Sequence, residues 1–516
     1  MDSRKIKTLN RILVFVLILM LCFGTAIGEG MPSAIADAEI IEEIVEEMKL
    51  LAQVPRPSHH EEKISAFFMS WAKEQGFEPI QDEALNVMFD VPATEGMEDK
   101  PLVILQAHMD MVVVYEEGKD FDPLNDPITI IWNKEENTLT ADGTSLGADD
   151  GAGCSIAMAI AKGKMAHGPI RILLTTNEED GMTGALHMQG EWLANATYLI
   201  NLDDEASNEV LVSTASGDTT TVSIKPDFTA ATGDLALNIE LDGLKGGHSG
   251  EEIDKGRLNG IKALAAFLKD LDAQGIDFEL ATFSGGTAHN AIPATANCVI
   301  VIASDDEDSV KELADQHSSL LEEAYAGIEE NIHLDVSRNE TVPPVVQGNV
   351  RDHILQYLTE IIDGVYTMSA DLEGLVESSS NLGVASLNED GFQAINTLRS
   401  SVSALRDEIL NAQIQLAKEC RMNVETVVSA LPWTYDPDSR LLELTCDVYR
   451  NQNGEEIDIV AAHAGLECGC FATWNPDLDM ISIGPDLTDV HTTDETFHLD
   501  TLPKIWRLLE GILASV

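Results

Sequence analysis

Positive charge is what this chain has least of. Its 516 residues carry 31 Lys and Arg against 89 Asp and Glu, a net charge of −58 with His neutral. So few cations exclude a phosphate-binding surface as the main business of the protein, and nucleic acid as its partner. They also argue against adhesion to an anionic membrane surface. The acidity gives solubility in high salt and attraction for cations. A solvated acidic surface explains it most simply, with adaptation to a saline habitat as the alternative. Cysteine is sparse too: seven are spread over the chain, no pair of CxxC motifs occurs, and Cys468 and Cys470 stand too close to bridge comfortably. That argues against a dense disulfide framework and a cysteine-ligated zinc. Most of the cysteines read as small buried apolar residues. The apolar run 12–23 falls short of the roughly 20 residues that a membrane span requires. It follows Arg4, Lys5, Lys7 and Arg11 and precedes the small-residue patterns Ala26-Ile-Gly28 and Ala34-Ile-Ala36. Residues 1–36 therefore read as an export signal, with a secreted protein expected and an uncleaved anchor as the runner-up.

The length suits two or three domains, and a hydrophobic content of 44% is that of a globular protein. Apolar residues recur with helical period over 38–53 and 61–75, and small residues fill a helix over 148–161. Apolar runs over 84–91, 102–106, 170–175 and 198–202 read as strands. Strands alternating with helices predict a doubly wound α/β domain over 37–214. Near Ser213 the texture changes to half-buried alternation, over 218–224 and 235–241, with helices over 256–274, 308–329, 353–363 and 403–419 and strands at 297–303, 372–377 and 393–399. This predicts an inserted α+β lid domain over 215–430, in two similar halves. The α/β texture returns from Pro437, so 431–516 completes the first domain around a mixed sheet.

Chemistry gathers at the predicted strand ends. His108 and Asp110 stand two residues apart after 102–106 and share a face, where α/β sheets place their ligands. An imidazole beside a carboxylate suits a metal ligand and the group that orients it. Gly147-Ala-Asp149-Asp150-Gly151 puts carboxylates in a tight turn at a helix start. Glu178 and Glu179 follow the strand over 170–175, Asp203 follows 198–202, and His491 with Asp494 and Glu495 follows a strand ending at Ile483. One acidic loop in so acidic a chain means little. Five clusters converging on one sheet edge would repel one another unless a cation or a proton neutralised them.

These motifs, with Gly243-Leu-Lys-Gly-Gly-His248-Ser-Gly250, Gly285-Gly-Thr-Ala-His-Asn290-Ala-Ile-Pro293, His463-Ala-Gly-Leu-Glu-Cys-Gly469 and Pro55-Arg-Pro-Ser-His-His-Glu61, resemble the Xaa-His (aminoacyl-histidine) dipeptidases of the co-catalytic zinc peptidase superfamily. The likeness runs in order from about Ile41 to the C-terminus. It implies two Zn2+ per chain, with Mn2+ or Co2+ acceptable to a carboxylate-rich site. His108 and Asp203 would bind one ion, Glu179 and His491 the other, and Asp149 both. Asp110 would orient His108, and Glu178 would be the general base and acid. His248, Asn290, Arg399 and Gly465 would contact the substrate carboxylate or the oxyanion. The chain departs from the family pattern with His at 289 for Arg, Asp at 150 for Asn and Leu at 202 for Thr. The expected substrate is a dipeptide or short peptide with a free C-terminus, and the export signal points to scavenged peptides. An N-acyl amino acid amidohydrolase with the same centre is the alternative, and a non-catalytic peptide-binding protein the third. The lid would close over substrate and allow a homodimer.

Overall fold

The structure is a computed structural model that describes residues 36–372 and 374–516. Two sheets organise it. The first has eight strands, in the order Ile80–Gln81, Val87–Val91, Ile170–Thr175, Leu102–His108, Ala196–Asn201, Asp479–Ser482, Glu209–Thr214 and Asp458–Ala462. Leu102–His108 runs parallel to both of its neighbours, whereas Val87–Val91 is antiparallel at one side, so the sheet is mixed. The central strand is buried along nearly all of its length because both faces are covered. Val103 and Leu105 enter one core, which holds the helices Asp37–Leu51, Ala148–Ala161 and Leu502–Ser515. Ile104 enters the other, with Trp192, Cys470 and Phe471. Helix Ala148–Ala161 is built of small residues and is buried at every position except Asp149.

The second sheet has nine strands, every pairing antiparallel, and its strands fall between Gly217 and Ala430. Helices Gly260–Ala273, Glu307–Ala324, Gly348–Glu360 and Ser403–Glu419 pack on it around a separate core. Chain exit and re-entry lie side by side, since Thr214 and Trp433 exchange backbone hydrogen bonds of 3.0 Å. Both predicted halves of the insert join one continuous sheet. The short strand expected over 372–377 is instead Val376–Asn388, with an irregularity between Leu382 and Val384. Its polar serines and the glycine at 383 hide it from a hydrophobic pattern. Phe278–Gly285 and Asn423–Ala430 are further strands that the pattern does not reveal. The export signal expected over 1–36 lies, but for Ala36, outside the described residues.

Candidate metal centre

Three parallel neighbours deliver their carboxyl ends to one place. His108 ends Leu102–His108, Glu178 and Glu179 follow Ile170–Thr175, and Asp203 follows Ala196–Asn201. Asp149 sits at the start of Ala148–Ala161, and His491 lies on a loop with a positive φ of 62°. His108 Nε2 is 2.9 Å from Asp149 Oδ1 and 3.4 Å from Asp203 Oδ1. His491 Nε2 is 3.0 Å from Asp149 Oδ2 and 2.8 Å from Glu179 Oε2. The five residues thus form two groups able to hold a metal ion, His108–Asp149–Asp203 and Asp149–Glu179–His491. Asp149 belongs to both, offering a different oxygen to each.

A layer of buried groups holds this arrangement. Asp110 Oδ1 is 3.4 Å from His108 Nδ1 and accepts the Glu178 N–H at 3.1 Å. Its Oδ2 accepts from Ser58 Oγ at 2.8 Å and from the Glu179 N–H at 3.4 Å. One carboxylate therefore fixes both a histidine and the loop carrying two glutamates. Asp150 accepts the His108 N–H at 3.1 Å and the Gly153 N–H at 2.8 Å. The turn before Asp149 requires glycine: Gly147 has φ 71°, and a Cβ there would lie 2.6 Å from Met111 Sδ.

Two residues given no role by sequence reasoning belong to this layer. Glu495 accepts backbone N–H bonds from Leu146, Gly147, Ala148 and Asp149, and so ties the His491 loop to the Asp149 turn. Arg56 donates to the carbonyls of Met109, Asp110 and Gly147. Each lies in a quoted motif, but its partners are remote in sequence and no local pattern reveals them.

The charges strain against one another. Burial pushes Asp203 up to about 7 despite the opposing effect of His108, with Asp149 and Glu179 adding repulsion. Burial, with Asp203, Glu467 and Asp149, holds Glu178 well above the ordinary carboxylate range. Hydrogen bonds donated to the Asp149 and Glu179 carboxylates raise His491 to about 10. Burial opposes charge on His108, yet Asp203, Asp110 and Asp149 together raise it well above its ordinary value. Such a cluster of carboxylates and imidazoles calls for positive charge at its centre.

The other predicted residues gather elsewhere. His248 and His463 line a cleft of about 610 Å3 between the insert and the strand Asp458–Ala462. Arg399 donates from Nη1 to the His463 carbonyl at 3.3 Å. Asn290 is half-buried, and its carbonyl accepts the Ser249 N–H at 2.8 Å. Gly465 packs against Ala430, at the end of the last strand of the insert. Among the described residues no hydrogen bond or ion pair joins His248, Asn290, Arg399 or Gly465 to the five residues of the two groups.

Comparison with known proteins places the chain. It is 35% identical over 468 residues to the cytosol non-specific dipeptidase of Escherichia coli (strain K12), covering 90% of this chain and 96% of that one. Its structure superposes with a TM-score of 0.87 and 34% identity on aminoacylhistidine dipeptidase from Vibrio alginolyticus, covering 92% and 96% of the two chains. Aminopeptidase PepT from Bacillus cereus shares the fold at a TM-score of 0.52 and 16% identity, with 92% and 98% covered. The expectation of a secreted protein is thereby corrected, because the Escherichia coli relative, matched over nearly its whole length, is a cytosol enzyme. Among the described residues, no helix is long and apolar enough to cross a membrane. The resemblance read from the motifs is borne out, and the peptidase family M20/M25/M40 model matches residues 104–515: the chain belongs to that family.

Proposed function

We propose that this protein hydrolyses dipeptides with a free C-terminus, Xaa-His dipeptides foremost, at a centre of two divalent cations. The observation that carries the reading is the position of Asp149, with one oxygen 2.9 Å from His108 and the other 3.0 Å from His491. His108 and Asp203 would hold one ion, Glu179 and His491 the second, and Asp149 both. Imidazole nitrogens with carboxylate oxygens suit zinc, and accept manganese or cobalt. His108 turns Nε2 to this centre and Nδ1 to Asp110, the usual division of labour in a metal-bound histidine. When bound, the cations neutralise the carboxylates, polarise the scissile carbonyl and favour deprotonation of water near neutral pH.

The chain's own residues supply the rest. Glu178 takes a proton from the attacking water as its oxygen bonds to the peptide carbon. It returns that proton to the amine as the C–N bond breaks. Asp110 holds the Glu178 backbone in place. His248 donates to the developing oxyanion, and Asn290 and Gly465 line the substrate. Arg399 takes the substrate carboxylate, for which its planar fork is matched. In a protein of net charge −58, Arg399 forms no ion pair among the described residues, and burial disfavours its charge. A cation kept from carboxylates in such surroundings supports an anionic ligand.

Elemental analysis of protein purified without added metal, paired with hydrolysis of Xaa-His dipeptides and N-acetyl amino acids, tests this reading. The expected result is two ions per chain and turnover of dipeptides. Metal with turnover of N-acetyl amino acids alone would make it an amidohydrolase instead. Metal-loaded protein inert on both would remove the reading.

A further inference from the structure

The segment 463–467 is fastened at both ends, and its fastenings belong to different sheets. At one end, His463 follows the catalytic-sheet strand Asp458–Ala462. Its Nε2 lies 2.7 Å from the hydroxyl of Ser379, and its carbonyl accepts Arg399 Nη1 at 3.3 Å. Ser379 and Arg399 stand directly opposite one another on adjacent strands of the insert. One residue of the catalytic part therefore grips a cross-strand pair of the insert, by its ring and by its backbone. At the other end, Glu467 is fully buried and accepts from Gln106 Nε2 and Thr175 Oγ1, each at 2.6 Å. Gln106 stands two residues before His108, and Thr175 three before Glu178. Between these ends Gly465 is pressed on the insert, since a Cβ there would lie 2.4 Å from Ala430 Cβ.

Arg399 needs such a grip. Its Nε is buried without a hydrogen-bond partner, and the His463 carbonyl is the one acceptor it meets among the described residues. A long guanidinium side chain held at one point in advance loses less freedom when substrate arrives. His463 is suited to holding rather than to proton transfer: burial and the nearby Arg399 charge lower it to about 4, so it is neutral.

We propose that His463 is a positioning residue that, through its bond to the buried Ser379, sets Arg399 for the substrate carboxylate. The inference rests on the reading of Arg399 given above. It is tested on the metal-loaded enzyme with a dipeptide and its C-terminal amide, as the ratio of their kcat/KM values. Wild type prefers the free acid, and Arg399→Ala abolishes that preference. His463→Ala and Ser379→Ala each lower the ratio about tenfold, mainly through KM for the acid, with kcat on the amide unchanged. Because both act through one bond, the double variant is no worse than either alone. If Arg399→Ala abolishes the preference while His463→Ala and Ser379→Ala keep the wild-type ratio, His463 has no such role and the Arg399 reading stands. Additive losses in the double variant also overturn it. If Arg399→Ala leaves the ratio unchanged, the Arg399 reading fails and this inference with it. Should His463→Ala fold poorly, Ser379→Ala carries the same test, because its hydroxyl bonds the ring and, among the described residues, makes no hydrogen bond to Arg399.

Discussion

The two halves of the proposed metal centre share one carboxylate and differ in what surrounds them. The His108 side chain is 1% exposed, whereas that of His491 is 44% exposed. His108 ends a central strand, fixed by the ladders on either side and by Asp110 and Asp150. His491 stands on a loop in the left-handed region, and the Glu495 clamp ties that loop to the Asp149 turn. The sheet makes one half, and a loop returning from the C-terminal part completes the other. A centre built in this way has an inner site assembled by the fold and an outer site open to solvent and to exchange.

The sharpest way to break that comparison is to remove what the halves share. Asp149→Ala is expected to lose both ions and all measurable turnover, with both read on the same preparation. A variant that keeps either ion at wild-type affinity contradicts the shared role. Glu178→Gln is next: turnover should fall by roughly 10²–10⁴-fold, the contribution of a general base, while metal content stays at two. His491→Ala then separates the halves. It should leave one ion, retained on dialysis against a weak chelator, whereas His108→Ala should leave neither site intact. Equal losses from the two variants would mean that inner and outer are not distinct. Asp110→Asn should lower metal affinity about 10–100-fold by disturbing the orientation of His108, as measured by competition with a chromophoric chelator. The smallest effect is expected at Glu495→Ala. It strands four backbone N–H groups and should cost about 1–3 kcal/mol in urea unfolding, with weaker retention of the outer ion.

The same contrast explains what the sequence made legible. Inner-site residues follow apolar runs such as 102–106, whose buried character is plain because both faces are covered. The i, i+2 spacing of His108 and Asp110 then puts them together. The role of His491 came from the family likeness, since nothing local marks a loop histidine. Glu495 and Arg56 passed without a role because they bind backbone groups up to 349 residues away, a relation that exists only after folding. The insert was harder to read. Its strand Val376–Asn388 carries consecutive buried serines, Ser378, Ser379 and Ser380, whose hydroxyls meet the polar groups of Thr367, His463 and Gln413. Strand Asn423–Ala430, at one edge, is mostly exposed and shows no inward-facing pattern. His463 appeared within a family motif, but its partner Ser379 lies in the strand that the pattern missed.

The most direct test is anomalous diffraction from crystals loaded with zinc. The account predicts two peaks flanking Asp149, one within bonding reach of His108 and Asp203, the other within reach of Glu179 and His491. A single peak, or two peaks that do not share Asp149, contradicts it.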